Sequence, residues 1–123
     1  FQNKSRFYRS ATLAELNKSF TFATPGKCRD GIDAPWKDTV IMTSPISNID
    51  QLSGRVLRSY PDKPTPIIID MVDYGCTDIS KTFYNRMRFY ENKKWPVQYI
   101  IASKEGAIKK IDKETALNIL EGK

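Results

Sequence analysis

The chain predicts an α/β fold, in which a mostly parallel sheet of about four or more strands is covered by helices. Strand and helix signals alternate along its 123 residues, as they do when helices connect parallel strands. In addition, the segment Ile67-Ile-Ile-Asp-Met-Val72 is almost continuously apolar, which is typical of a strand that is buried on both faces.

The first half of the chain contributes two strands and a helix before this segment. Residues 5–17 predict the helix, because Leu13 and Leu16 share one helical face. Residues 19–23 are aromatic and β-branched and predict a strand, and residues 39–43 predict a second strand.

The next predicted helix lies between the second strand and the apolar segment. Ser47 can cap its first turn, with Asp50 at the third position inside. We expect this helix to run to about Ser59, because the proline-rich residues 61–66 break it.

A long helix is predicted over residues 78–94, with Asp78 as its cap. Phe83, Met87 and Tyr90 recur in it at helical spacing, and we assign such aromatic side chains to the core rather than to base stacking.

The C-terminal part predicts a fourth strand and a last helix. The strand covers residues 97–102, and Asp112 can cap a helix whose inward face carries Ala116, Leu117 and Leu120. The predicted organisation is therefore one domain over residues 1–102, followed by a helical extension over residues 103–123.

Charge is distributed unevenly in this basic chain, which has a net charge of +6. Residues 1–30 carry six Lys and Arg against two acids, and residues 79–123 carry ten against five. Residues 31–78 carry four against seven. Basic ends suit a partner with phosphates, and a solvated basic surface explains them equally well.

The cysteine content indicates a reducing, intracellular setting. Cys28 and Cys76 lie far apart and the chain has no histidine, so two buried thiols are favoured over a disulfide or a zinc site. No apolar run approaches the roughly 20 residues of a membrane span. No histidine base or partnered Ser or Cys nucleophile is recognisable, which argues against an enzyme of another kind.

The strongest motif is Gln51-Leu-Ser-Gly54-Arg55-Val-Leu-Arg58, of the form Q-x-x-G-R-x-x-R. On a helix, Gln51, Arg55 and Arg58 share one face, and Gly54 allows close approach of a ligand or another backbone. Two guanidiniums aimed the same way form a fork for phosphate oxygens. The alternative is an amphipathic helix with two solvated arginines.

A second motif occupies residues 22–35, Phe-Ala-Thr-Pro-Gly-Lys-Cys-Arg-Asp-Gly-Ile-Asp-Ala-Pro. Its glycine-bearing loop can present backbone N–H groups to a phosphate at the sheet edge where α/β proteins bind ligands. Asp33 is placed to bond a ribose hydroxyl or to pair with Arg55. The alternative is an ordinary turn with Gly31 at positive φ.

Together the two motifs resemble motifs V and VI of superfamily 2 helicases, in the same order and with a similar connection. Residues 67–73 and 86–95 are also similar to the end of the second RecA-like lobe of DEAD/DEAH-type helicases of phages and large viruses. The resemblance covers about residues 19–101. It implies a three-layer RecA-like lobe with helices on both faces of the sheet.

The resemblance also implies roles for individual residues. Arg55 and Arg58 would be catalytic arginine fingers that reach ATP on another lobe. The residues that would contact the nucleotide are Gln51, Gly31 and Asp33. Those that would contact the nucleic-acid backbone are Thr24, Gly26 and Lys27, the last only for its charge and position. Leu52 departs from the family, where many members carry another arginine, and so does Pro25-Gly26 in motif V.

A complete motor also needs a phosphate-binding loop, G-x-x-x-x-G-K-[ST], and an acidic metal-binding box. Neither is found. Gly26-Lys27-Cys28 lacks the earlier glycine of such a loop and has Cys28 where a hydroxyl would hold Mg²⁺, and no Asp-Glu pair follows an apolar strand. We expect ATP with Mg to be held mainly by a first RecA-like lobe, in the same parent chain or on a separate subunit, and this chain alone to be inactive. The alternative function is a non-catalytic nucleic-acid-binding or accessory subunit. The backbone contacts expected here do not distinguish DNA from RNA.

Overall fold

The computed structural model describes residues 4–7, 20–24, 26, 33–44, 46, 49–75 and 77–122. The chain divides into two compact units, Phe1–Met71 and Val72–Lys123. The domain boundary predicted at residue 102 is not tested by this division and stays a prediction. Cys28 and Cys76, expected to be thiols, lie outside the described residues.

The first unit contains two parallel strand pairs. Its elements are β1 (Lys4–Phe7), β2 (Phe20–Ala23), β3 (Thr39–Met42), α1 (Asp50–Val56) and β4 (Ile67–Asp70). β1 pairs with β2, with Lys4 opposite Phe20, and β3 pairs with β4, with Thr39 opposite Ile67. Because α1 connects two parallel neighbours, β3, α1 and β4 form a βαβ unit, the repeat from which parallel α/β sheets are built.

The buried side chains of this unit lie around β3 and the start of α1. Met42 and Ile49 are almost fully buried, and Ala34 joins them from the loop before β3. Ser53 is also buried, and its hydroxyl donates to the carbonyl of Asp50 at 3.0 Å. Its polar atom is therefore satisfied inside the fold.

The second unit pairs a hairpin with two helices. Its elements are α2 (Thr77–Asn92), β5 (Tyr99–Ala102), β6 (Ile108–Ile111) and α3 (Lys113–Leu120). β5 and β6 are antiparallel, with Tyr99 opposite Ile111. Gly106 has φ +85° in the connecting turn, a conformation that glycine adopts without strain.

Aromatic side chains form the core of this unit. Phe83, Met87 and Tyr90 are buried along one face of α2, which confirms their assignment to the core. Trp95 packs against Tyr90 in a stacked arrangement, with 6.2 Å between ring centroids. The buried Arg86 places its guanidinium 5.9 Å from the centre of the Phe83 ring, within the range of a cation–π contact.

The last helix begins as the sequence predicts. The carboxylate of Asp112 accepts a hydrogen bond from the backbone N–H of Thr115 at 2.7 Å, and this bond holds the pKa of Asp112 below its ordinary value. Lys113 donates to the carboxylate of Glu91 on α2, which raises the pKa of the lysine. The predicted inward residues are half-buried: Ala116, Leu117 and Leu120.

The predictions for the N-terminal residues and for β4 need correction. Residues 5–7 are in strand β1 and not in a helix, because parallel pairing with β2 overrides the local signal; residues 8–17 lie outside the described residues. β4 is half-buried on one face and exposed on the other, where Ile67 and Ile69 lie together with Ile41 of β3.

The predicted helix boundaries also shift. α1 has Ile49 as its N-cap, without a side-chain cap bond, and ends at Val56 instead of Ser59; Ser47 lies outside the described residues. α2 already includes Thr77, so Asp78 is inside the helix. β6 was not expected, because its sequence Ile-Lys-Lys-Ile lacks strict alternation of apolar and polar residues.

The described strands form three two-stranded sheets. The larger sheet of a three-layer RecA-like lobe therefore stays a prediction. Among the described residues, no helix combines the length and the apolar character that crossing a membrane requires.

Candidate functional site

The two sequence motifs meet at an ion pair. A guanidinium nitrogen (Nη1) of Arg58, just beyond α1, lies 2.8 Å from Oδ1 of Asp33, in the loop before β3. The side chains remain 54% and 69% exposed, respectively. Residues 25 positions apart are thus brought together on the surface of the first unit, where both stay accessible to a ligand.

Lys63 makes a second connection between the same two segments. Its ammonium donates to the carbonyl of Pro35 at 2.8 Å and to the carbonyl of Arg58 at 3.0 Å. One cation therefore fixes the backbone of residues 33–37 against that of residues 58–63. Hydrogen bonds from a charged donor are shorter and stronger than neutral ones.

An aromatic contact completes this arrangement. The rings of Trp36 and Tyr60 meet edge to face, with 6.3 Å between centroids and 63° between ring planes. This geometry is favoured by the quadrupoles of the two rings. We call residues 33–37 and 58–63 together the loop junction.

The sequence dictates the junction through the way α1 ends. Leu57 is the C-cap, with its N–H bonded to the carbonyl of Ser53, so the carbonyls that follow need partners outside the helix. Lys63 bonds the next carbonyl beyond that cap, the carbonyl of Arg58. The backbone turns back between Tyr60 and Lys63, and the N–H of Lys63 donates to the Tyr60 carbonyl to close this turn. Asp62, inside the turn, has φ +58°.

The remaining residues of the first motif occupy α1. Gln51 and Gly54 are exposed, and a Cβ at Gly54 would meet no atom within 4 Å, so this helix surface is open to close approach. Arg55 is half-buried in the last turn, where the helix dipole favours a cation. Arg58 lies beyond the helix end, which corrects the prediction that both arginines are helical.

The second motif is only partly described. Thr24 follows β2 and is exposed, and Gly26 is exposed with open space around its Cβ position. Lys27 and Gly31 lie outside the described residues. The structure therefore locates Asp33 against Arg58 but leaves the predicted nucleotide and nucleic-acid contacts of this loop as predictions.

Burial and a neighbouring carboxylate act in opposite directions on Lys37, a residue of the loop junction. Burial lowers the pKa of Lys37, although the nearby Asp38 carboxylate raises it in part; Asp38 also accepts a bond from the hydroxyl of Thr39 at 2.8 Å.

Within the part of the chain that the structure describes, no group of three or more Cys, Asp or Glu side chains is arranged to hold a metal ion.

A segment of this chain is similar in sequence to a known protein. Over 69 residues, the chain is 30% identical to a putative ATP-dependent RNA helicase of Acanthamoeba polyphaga mimivirus. The similarity is to a viral helicase. The aligned segment covers 56% of this chain and 13% of that relative, so the chain spans only a small part of the relative's length. No protein-family model and no solved structure matches the chain.

Sequence reasoning missed Lys63 and the Trp36–Tyr60 pair. Each aromatic residue stands next to a proline, in Pro35-Trp36 and Tyr60-Pro61, and prolines mark exposed turns rather than core segments. That signal could have identified the aromatic pair as a surface feature. No comparable signal identifies Lys63, because its hydrogen-bond acceptors are backbone carbonyls.

Proposed function

We propose that this chain is part of the C-terminal, RecA-like lobe of an ATP-dependent nucleic-acid helicase or translocase. Arg55 and Arg58 act as arginine fingers toward ATP and Mg that are held mainly by another lobe. The observation that carries the proposal is the Arg58–Asp33 ion pair, which unites the two motifs at one surface. The similarity to the mimivirus helicase supports it independently.

The exposure of the ion pair suits a residue that changes partners. An exposed pair of this kind contributes only about 0–1 kcal/mol, so Arg58 can leave Asp33 for a phosphate at small cost. A guanidinium that meets a transferring phosphoryl group stabilises the charge of the transition state, with an effect of about 10³–10⁵ on the rate. Asp33, once released, becomes an acceptor for a ribose hydroxyl.

The nucleic-acid contacts in this proposal come from the end of β2. Thr24 and Gly26 are exposed there, and a hydroxyl with nearby backbone N–H groups can bind phosphate oxygens. Such contacts orient the strand without reading its sequence, so the proposal does not separate DNA from RNA.

The test measures nucleic-acid-stimulated ATP hydrolysis by this chain together with the polypeptide, continuous or separate, that carries the phosphate-binding loop. Arg55→Ala and Arg58→Ala should each lower kcat by about 10³-fold or more, while nucleic-acid affinity stays within a few-fold in Arg55→Ala. Arg88→Ala is the matched control, because Arg88 is an exposed arginine of the second unit. Full ATPase activity in both finger variants would refute the proposal.

A second candidate function, nucleic-acid binding without a motor role, is favoured by lysines of the hairpin. Lys109 and Lys110 are exposed on β6, and no ion pair engages them in the part of the chain that the structure describes. The same variants separate the two functions. Three results together support nucleic-acid binding without a motor role. Binding is unaffected by loss of both arginines, it weakens steeply with salt, and the combined polypeptides show no ATPase activity.

A further inference from the structure

Trp36 and Tyr60 combine two properties: both are exposed, as Phe20, Phe22 and Tyr74 also are, and their rings contact each other. Trp36 is 38% exposed and Tyr60 is 45% exposed, whereas the aromatic residues Phe83 and Tyr90 are buried in the second unit. A single exposed aromatic residue is ordinary on a protein surface. Here two exposed rings form a corner, with their planes inclined at 63°.

The corner is held in place by polar bonds on both sides. Trp36 lies in a turn closed by the N–H of Lys37 on the carbonyl of Ala34 at 3.0 Å, and Ala34 is buried. Lys63 bonds the carbonyls of Pro35 and Arg58, which are close in sequence to the two rings. A ligand that stacks in this corner therefore finds the rings already positioned, and less conformational entropy is lost on binding.

The charges beside the corner indicate which flat ligand it suits. Arg58 presents an exposed guanidinium and Asp33 an exposed carboxylate, and they precede Tyr60 and Trp36 by two and three residues, so a hydrogen-bond donor and an acceptor are close in sequence to the rings. Lys63 adds a second cation, although its ammonium is already bonded to carbonyls. Stacking surface, a movable cation and a carboxylate acceptor together match a nucleobase that is linked to a phosphate.

We infer that Trp36 and Tyr60 form a stacking site for a nucleobase, with Arg58 meeting the attached phosphate. The base stacks on one ring and contacts the edge of the other, and Asp33 accepts hydrogen bonds from the base or sugar. The site does not depend on the arginine-finger role. The base can belong to single-stranded nucleic acid or to a free nucleotide, and the experiment separates these two sources.

The first measurement uses tryptophan fluorescence. The chain has two tryptophans, so Trp95→Phe leaves Trp36 as the only one while keeping an aromatic ring beside Tyr90. Single-stranded oligothymidylate and AMP are titrated separately, with an abasic oligomer of equal length and inorganic phosphate as ligands that lack a base. Quenching by either base-bearing ligand, and not by its base-free counterpart, supports the inference and identifies the source. If neither oligothymidylate nor AMP quenches the fluorescence of Trp36, the inference is overturned.

The second measurement keeps Trp95 and follows binding of labelled oligomers by fluorescence anisotropy. Trp36→Ala should weaken binding of the base-bearing oligomer about 5- to 150-fold, leave the abasic oligomer unaffected and be rescued by Trp36→Phe. If the free nucleotide is the source, the same pattern holds for AMP measured by calorimetry. Equal weakening for ligands with and without a base refutes stacking. ATP hydrolysis is also measured with Arg55→Ala in the Trp36 variants. If Arg55→Ala still lowers it as in the native chain, the motor proposal stands whether or not the stacking inference fails.

Discussion

Replacing Lys63 by methionine tests whether the loop junction is held by its ammonium. The substitution keeps the unbranched stem but removes the donor to the carbonyls of Pro35 and Arg58. A hydrogen bond contributes about 0.5–1.5 kcal/mol net, and the bond to Arg58 is exposed to solvent. We therefore expect Lys63→Met to lower the free energy of unfolding by about 1–2 kcal/mol.

Urea unfolding followed by circular dichroism measures this change. With an m-value of about 2 kcal/mol per M, the midpoint should fall by about 0.5–1 M. Lys110→Met is the control, because it removes an exposed lysine for which the described part of the chain shows no ion pair, and it should change stability by less than about 0.5 kcal/mol. Equal midpoints for the two variants would refute the view that Lys63 fixes the junction.

Two further predictions concern folding of the two units. Ile49→Ala, at a side chain that is 2% exposed, should lower the free energy of unfolding by about 2–4 kcal/mol, while Leu57→Ala at an exposed position should cost clearly less in the same denaturation assay; similar losses would contradict the assignment of Ile49 to the core. Because the pKa of Asp112 is lowered by its bond from Thr115, its stabilising contribution is present above about pH 4 and is lost as the pH falls further. The melting-temperature difference between the native chain and Asp112→Ala should thus shrink between pH 7 and pH 3, and a constant difference would exclude the charged cap.

Elements with a local signal were predicted well from the sequence. The core face of α2 follows from the spacing of Phe83, Met87 and Tyr90, since burial repeats with the helical period. The start of α3 follows from Asp112, because a capping carboxylate acts within three residues of its own position.

Elements that depend on distant partners were not predictable in the same way. β1 exists as a strand through its parallel pairing with Phe20–Ala23, and nothing local in Lys4–Phe7 specifies that partner. The two lysines of β6 obscured its strand pattern, and its pairing with Tyr99–Ala102 is what defines it. A single sequence gives no access to such pairings, because they depend on energies summed over the whole fold.

The candidate site shows the same division. The sequence predicted that Asp33 bonds a ribose hydroxyl or pairs with Arg55, whereas the structure pairs Asp33 with Arg58. The prediction that Gln51, Arg55 and Arg58 share one helix face fails for Arg58, because α1 ends before it. The aromatic pair and Lys63 depend on how two surface segments meet, which spacing within either segment does not specify.

The exposed isoleucines of β3 and β4 have a consequence for how the chain behaves among other molecules. Ile41 and Ile69 are register partners, and Ile67 lies beside them on the same face, so three branched hydrocarbon groups stand together in water. Any surface that covers them gains roughly 25 cal/mol for each Å² of hydrocarbon removed from solvent, whatever its shape or charge. This stripe of isoleucines favours non-specific contact with apolar surfaces. The Arg58–Asp33 contact can instead select a partner by charge and geometry.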